Sequence, residues 1–251
     1  MFGLKGYYWN PVVGCDEVSI ACKNCYVKSL TERQQKTGIG YYEKGFEVNL
    51  LSDKLDIPIK RHRSALYQVC SMSDLFNPKV SDDFIDRVFN VMTTCQQHLF
   101  IISTKYSCRM AAYLRNKTVS DNIIIGVSIE NADVGAGRLN DLYQINCPTK
   151  FVLFEPLLGD VSGLDITWVD WVLVGGQYGK KSIPMQKKWV FNILRICQEN
   201  YIPFYFKQWG AYGEDGIRRS KKENGDLVNG HCYHETPQLK KSQEIVIKNI
   251  A

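Results

Sequence analysis

Seven short apolar, β-branched stretches, separated from one another by helix-like or loop-like sequence, set the tightest limit on what this chain can fold into. They occupy residues 46–50, 66–70, 99–102, 123–127, 151–154, 171–174 and 203–206. Two of the intervening segments carry an apolar stripe at helical spacing. Residues 81–96 place Phe84, Val88, Val91, Met92 and Cys95 on one face, and residues 185–198 do the same with Trp189, Val190, Ile193, Leu194 and Cys197. Ser81 followed by two aspartates reads as a helix start. Near-continuous apolar strands alternating with helices argue for a parallel sheet buried on both faces, and hence for an α/β fold.

The residues just after each strand narrow the choice further. The strand ends run into Ser71-Met72-Ser73-Asp74, Ser103-Thr104-Lys105, Ser128-Ile129-Glu130-Asn131, Glu155-Pro156, Gly175-Gly176-Gln177 and Lys207-Gln208-Trp209. A (β/α) barrel builds its site from side chains at the C-terminal ends of several strands, whereas an open doubly wound sheet concentrates ligand groups at one switch point. Polar groups at any one strand end also fit an ordinary loop. Six in succession favour a TIM-like barrel, partial or complete, of about six to eight strands. Residues 1–210 are read as this barrel domain and residues 211–251 as a C-terminal extension or flap, with a candidate final strand at 244–247.

The composition excludes other classes. With 45% hydrophobic and 23% charged residues, the chain of 251 residues can build a large core and is not disordered. No apolar run approaches the roughly 20 residues of a spanning helix, and the first residues lack a signal-peptide core, so a cytoplasmic protein without membrane contact is expected. The net charge of +5 includes basic knots at residues 60–63 and 218–222, which suit either an anionic partner or a solvated loop.

Nine cysteines in a cytoplasmic chain are expected to be mostly reduced. Six are scattered. The other three, Cys15, Cys22 and Cys25, form a C-x6-C-x2-C cluster just before a helix expected over residues 26–35. Three converging thiolates suit zinc or an iron-sulfur cluster. A structural zinc needs a fourth ligand, which His231, Cys232 or His234 could bring from the far end of the chain. A 4Fe-4S cluster on three thiolates keeps one iron free for an outside ligand.

That last arrangement resembles the radical S-adenosylmethionine superfamily, whose usual C-x3-C-x2-C motif matches here in its C-x2-C half and is three residues shorter in its first interval. A closer resemblance runs in order along residues 9–210. W-N-P-V-V-G-C, C-K-N-C-Y, S-M-S-D-L-F, S-T-K, G-V-S-I-E-N, F-E-P-L-L-G, V-G-G-Q and F-K-Q-W-G are similar to a phage-associated family assigned to that superfamily. Relatives more often read G-G-E where this chain has Gly175-Gly176-Gln177. The resemblance implies a barrel of the radical S-adenosylmethionine type. It further implies a 4Fe-4S cluster on Cys15, Cys22 and Cys25, and S-adenosyl-L-methionine chelated to the open iron and reductively cleaved to a 5'-deoxyadenosyl radical.

Short polar side chains at neighbouring strand ends are the natural ligands for the cofactor's amine, carboxylate and ribose. Ser71, Ser73, Asp74, Ser128, Glu130 and Asn131 are the candidates, with helix capping as the other reading of Asp74 and Asn131. Arg138 could bind the methionine carboxylate or simply be solvated. Tyr26 would pack near the cofactor. Lys105, Glu155, Gln177, Lys207 and Gln208 are the catalytic or substrate-side candidates, and Trp209 would stack on a base, close the mouth or pack in the core. The substrate class implied is a nucleic-acid base, most specifically an amino-acid-adducted thymine isomerised during thymidine hypermodification of phage DNA, in the host cytoplasm. An electron donor and a partner enzyme of the same pathway would accompany it. A radical enzyme repairing pyrimidine lesions and a non-catalytic zinc module that binds nucleic acid are the alternatives.

Overall fold

The computed structural model describes residues 1–38 and 40–239, so the candidate strand at 244–247 lies outside the described residues. Seven strands form one all-parallel sheet: β1 (Gly6–Trp9), β4 (Leu66–Val69), β5 (Leu99–Thr104), β6 (Ile123–Ser128), β7 (Lys150–Phe154), β8 (Trp171–Gly175) and β9 (Phe204–Gln208). They pair in that order, so β1 and β9 are the two end strands of the sheet. The sheet curls into a half-barrel and does not close. Between the strands run α1 (Tyr26–Lys36), α2 (Asp82–Thr94), α3 (Ser107–Leu114), α4 (Ala132–Tyr143) and α5 (Lys187–Glu199). Among the described residues no helix is long and apolar enough to cross a membrane.

The expected strand at 46–50 is not part of this sheet. Only β3 (Asn49–Leu50) forms there, and it pairs antiparallel with β2 (Val12–Val13) in a separate two-residue ladder. The first strand of the half-barrel is β1, whose Gly-Tyr-Tyr-Trp sequence lacks the β-branched run that marks the others. Only its last residue, Trp9, is buried, because an edge strand has one neighbour to pack against. Helices α3 and α4 likewise carry no apolar stripe strong enough to mark them by periodicity. In contrast, α2 starts where Ser81 accepts the backbone N–H of Phe84, as its sequence requires.

Strands β4 to β9 show the two-residue alternation of a sheet covered on both sides. Phe100 and Ile102 of β5 belong to the large core shared with Phe84, Val88 and Met92 of α2, while Leu99 and Ile101 face the other way. On that inner face Leu66, Ile124, Phe151, Leu153, Trp171 and Leu173 pack with Phe2 and Leu4 from the N-terminus and Leu239 from the far end. The apolar plug fills the lower part of the half-barrel. Continuing the same parity upward brings Ser103, Ser128 and Glu155 to the inner face just where the plug stops, so alternation along the strands aims the strand-end groups at one space.

The segment after residue 210 packs against β9. Trp209 is 1% exposed, donates Nε1–H to the Leu227 carbonyl at 2.7 Å and lies against the Phe206 ring at 4.9 Å. It is a core residue, and neither closes the mouth nor stacks on a ligand. After α6 (Lys221–Asn224), β10 (Leu227–Val228) and β11 (His231–Cys232) form a hairpin, and His234 bridges Tyr205 of β9.

Candidate active site

The cysteine loop is fastened to the half-barrel by backbone constraints that begin at Gly14. Its φ is +74°, and a Cβ there would lie 1.9 Å from the Glu47 carbonyl oxygen, so only glycine lets the chain pass. The next residue, Cys15, donates its N–H to the Phe46 carbonyl at 3.1 Å. From the sheet side, Ser71 donates to Asn10 Oδ1 at 3.1 Å, the Met72 N–H donates to the same oxygen at 3.2 Å, and the Ser73 hydroxyl donates to the Gly14 carbonyl. Ser71 and Ser73 therefore line the site with their donor protons already committed to positioning the loop.

All three cysteines line one cavity of about 620 Å³, together with Ser71, Ser73, Asp74 and Ser103. Ser128, Glu155, Gln177 and Lys207 complete the wall. Strands β4 to β9 thus bring polar groups to it at their C-terminal ends, and β1 adds Tyr8. The cysteines are partly buried and free. Among the described residues, the His/Cys/Asp/Glu group whose ligand atoms all lie within 4.8 Å of one another is elsewhere, at Asp226, Cys232 and His234. Two Zn–S bonds of about 2.3 Å hold sulfurs no more than about 4.6 Å apart. The three N-terminal thiols do not all lie within 4.8 Å of one another. His231, Cys232 and His234 do not line this cavity, so the closure of a zinc site from the far end of the chain is not formed.

Electrostatics differentiate the thiols. Burial, then the Asp74 carboxylate, pushes the Cys15 thiol up to about 12. At Cys22 burial acts in the same direction, but the Lys105 ammonium and the Ser19 hydroxyl outweigh it and hold the thiol below its ordinary value. Lys105 Nζ lies 3.6 Å from Cys22 Sγ and 3.2 Å from Ser19 Oγ, so this residue stands on the cysteine side of the cavity. Asp74 is buried and accepts from Thr104 Oγ1 at 2.6 Å, Lys105 N–H at 2.9 Å and Phe76 N–H at 3.0 Å. It locks the end of β4 to the end of β5. Desolvation raises its pKa against the pull of these donors.

The other wall carries a second cluster. Glu155 pairs with Lys207 at 2.5 Å and accepts from Gln208 Nε2 at 3.2 Å. Consecutive residues of a strand normally face opposite sides, yet both reach one carboxylate. The cause is a register shift: Val174 pairs with Phe206 but Gly175 pairs with Gln208, leaving Lys207 as an extra, bulged residue. Such a bulge re-aims side chains at a strand end. Burial alone would lower the Lys207 pKa, but Glu155 more than offsets it and keeps the ammonium charged. Gln177 holds the Ile183 N–H on its Oε1, while its Nε2 and the Oε1 of Gln208 are buried without a partner.

Three of the expected cofactor ligands sit elsewhere. Glu130 and Arg138 form a buried pair at 2.7 Å, and Arg138 also donates to the Ser128 carbonyl at 2.6 Å. Asn131 caps α4 by accepting the Val134 N–H at 3.4 Å. None of the three lines the cavity; they hold the end of β6 against its helix. Sequence reasoning missed Asp16, which lines the wall between Asn77 (3.0 Å) and Lys79 (2.6 Å), and Tyr8, Tyr106 and Tyr178. Adjacency to Cys15 was the one available signal for Asp16. Tyr26 lines the cavity beside Cys25.

A family model described as "Protein of unknown function (DUF5131)" matches residues 5–237. The chain belongs to this family. No curated protein and no solved structure matches it. The matched span covers every residue that builds the cavity and continues through the hairpin β10–β11, so the family's shared unit runs past the barrel strands.

Proposed function

We propose that this member of the family is a radical S-adenosylmethionine enzyme acting on a nucleic-acid base. The carrying observation is that three cysteines of one loop share a single cavity with polar groups from six parallel strand ends. Cys15, Cys22 and Cys25 would hold the 4Fe-4S cluster, which with bound S-adenosyl-L-methionine supplies a 5'-deoxyadenosyl radical for hydrogen abstraction. Gly14, Asn10, Ser71 and Ser73 orient the loop. Lys105 places a positive charge beside Cys22, which favours its thiolate form. Ser128 and the oxygens of the residues 71–74 segment face the volume left for the cofactor. Glu155, Lys207 and Gln177, on the opposite wall, would meet the substrate and fix its polar edge.

The mouth favours an anionic substrate carrier. Asn24, between Cys22 and Cys25, donates to the Lys181 carbonyl at 3.0 Å, and Arg218 donates to the Gly179 and Lys180 carbonyls, so the cysteine loop, the loop after β8 and the basic knot at 218–222 meet there. Lys180, Lys181, Lys221 and Lys222 form no ion pair with any described residue, and Lys221 lines the cavity. Phosphates of a polynucleotide would complement them. The other knot differs: Lys60 pairs with Asp56, and Arg61 lies over the Tyr7 ring. Within this reading the isomerisation of an amino-acid-adducted thymine in DNA, with an external electron donor and a partner enzyme of the same pathway, is the finer proposal and rests on sequence resemblance.

Anaerobic purification tests the chemistry. A brown protein with about four irons per chain, bleached by dithionite and able to cleave S-adenosyl-L-methionine, is expected, and Cys22→Ala abolishes colour and cleavage together. Colourless protein carrying stoichiometric zinc at these cysteines overturns the proposal.

A further inference from the structure

The hairpin β10–β11 is too short to persist by itself. Its ladder has two residue pairs, Leu227 with Cys232 and Val228 with His231, and isolated hairpins even of ordinary length are marginal in water. Around it three potential ligands converge. Asp226 precedes β10, Cys232 ends β11, and His234 comes two residues later, with a ligand atom of each within 4.8 Å of the other two. His234 Nε2 and Asp226 Oδ2 are 2.9 Å apart. The imidazole plane is fixed by stacking on Tyr205, with centroids 4.6 Å apart and an interplanar angle of 12°. The backbone beneath is held by the Phe206 N–H donating to the Tyr233 carbonyl at 2.8 Å and the Glu235 N–H donating to the Phe204 carbonyl at 3.2 Å.

We propose that Asp226, Cys232 and His234 form a second metal site, selective for zinc among the abundant divalent ions. One sulfur, one imidazole nitrogen and one carboxylate oxygen match its donor preference, whereas magnesium and calcium take oxygen. Donor atoms spaced as here can converge on bonds of about 2.0–2.3 Å with little movement. Coordination takes the thiolate and the neutral imidazole with its one ring proton on Nδ1, so the thiol proton leaves to solvent. Three protein ligands leave a fourth position open on this half-exposed edge, for water or for an external donor. The ion joins the start of the hairpin, its end, and the segment paired with β9, and so adds a second anchor to the one that Trp209 gives the two-residue ladder. The site shares no residue with the proposed iron-sulfur site and stands or falls independently of it.

The test uses the full chain with Cys15, Cys22 and Cys25 all changed to alanine, titrated with Co²⁺. One equivalent should bind with a thiolate-to-cobalt absorption band, displaced by Zn²⁺. Cys232→Ser in that background removes the band, and His234→Ala weakens binding at least about tenfold. A parallel measurement on the otherwise native protein, loaded with iron anaerobically and dialysed against Zn²⁺, should show one zinc per chain that Cys232→Ser abolishes. If the triple variant does not fold by circular dichroism, this second measurement decides. A folded triple variant without the band, a band unchanged by Cys232→Ser, or an iron-loaded protein retaining no zinc overturns the site.

Discussion

Replacing Glu155 with glutamine isolates the one ion pair that the bulge in β9 creates. The side chain keeps its size and can still accept from Gln208, but it loses the charge that balances Lys207. Both partners have side chains 25% exposed, so the cost falls between the near-zero value of a surface pair and the 3–5 kcal/mol of a fully buried one, at about 2 kcal/mol. For a chain of this size that corresponds to a melting temperature lower by about 4–8 °C. The sign of the pH dependence comes from Lys207. Its folded-state pKa is raised, so the stability it contributes is fully present below its unfolded pKa and is lost as pH rises through the folded value. The gap between wild type and Glu155→Gln should therefore be constant across neutral pH and shrink in the alkaline range. A double-mutant cycle with Lys207→Met, read by urea denaturation under anaerobic conditions, should return a coupling of about 1–3 kcal/mol. Additivity within about 0.5 kcal/mol would refute the pairing and with it the re-aiming of Lys207 by the bulge.

Other perturbations probe the loop and its supports. In metal-free protein, iodoacetamide should alkylate Cys22 well before Cys15, whose thiol is pushed up to about 12, and Lys105→Met should slow Cys22 selectively; equal rates would refute the assigned electrostatics. Gly14→Ala, which sets a Cβ against the Glu47 carbonyl at a positive φ, should leave the sheet folded by circular dichroism while iron loading falls severalfold. Asp74→Asn puts an N–H group against one of its three donors and should cost about 1–3 kcal/mol in urea denaturation, with iron content reduced as well. Trp209→Ala should cost about 3–5 kcal/mol and expose the hairpin amides to hydrogen exchange, because the indole is both core and anchor.

The apolar β-branched runs by themselves determined the α/β class, six of the seven parallel strands and the existence of polar strand ends, because burial on both faces imposes a composition that local sequence must carry. The C-x6-C-x2-C spacing likewise brought three thiols onto one loop before any fold was known. What only the tertiary structure decided were relations across the chain. The open edges of the half-barrel depend on which strands find partners, and β1 is marked by no β-branched run because its neighbour, not its composition, makes it a strand. Whether a strand-end polar group faces the cavity or a helix depends on parity and on packing behind it, which is why Ser128 lines the wall while Glu130, Arg138 and Asn131, a few residues on, are spent on each other and on α4. The same holds for Lys207 and Gln208, whose shared target exists only because β8 and β9 slip by one residue. The three cysteines were legible as one candidate ligand set; the cavity that they share is made by strand ends more than a hundred residues apart, and only folding brings those together.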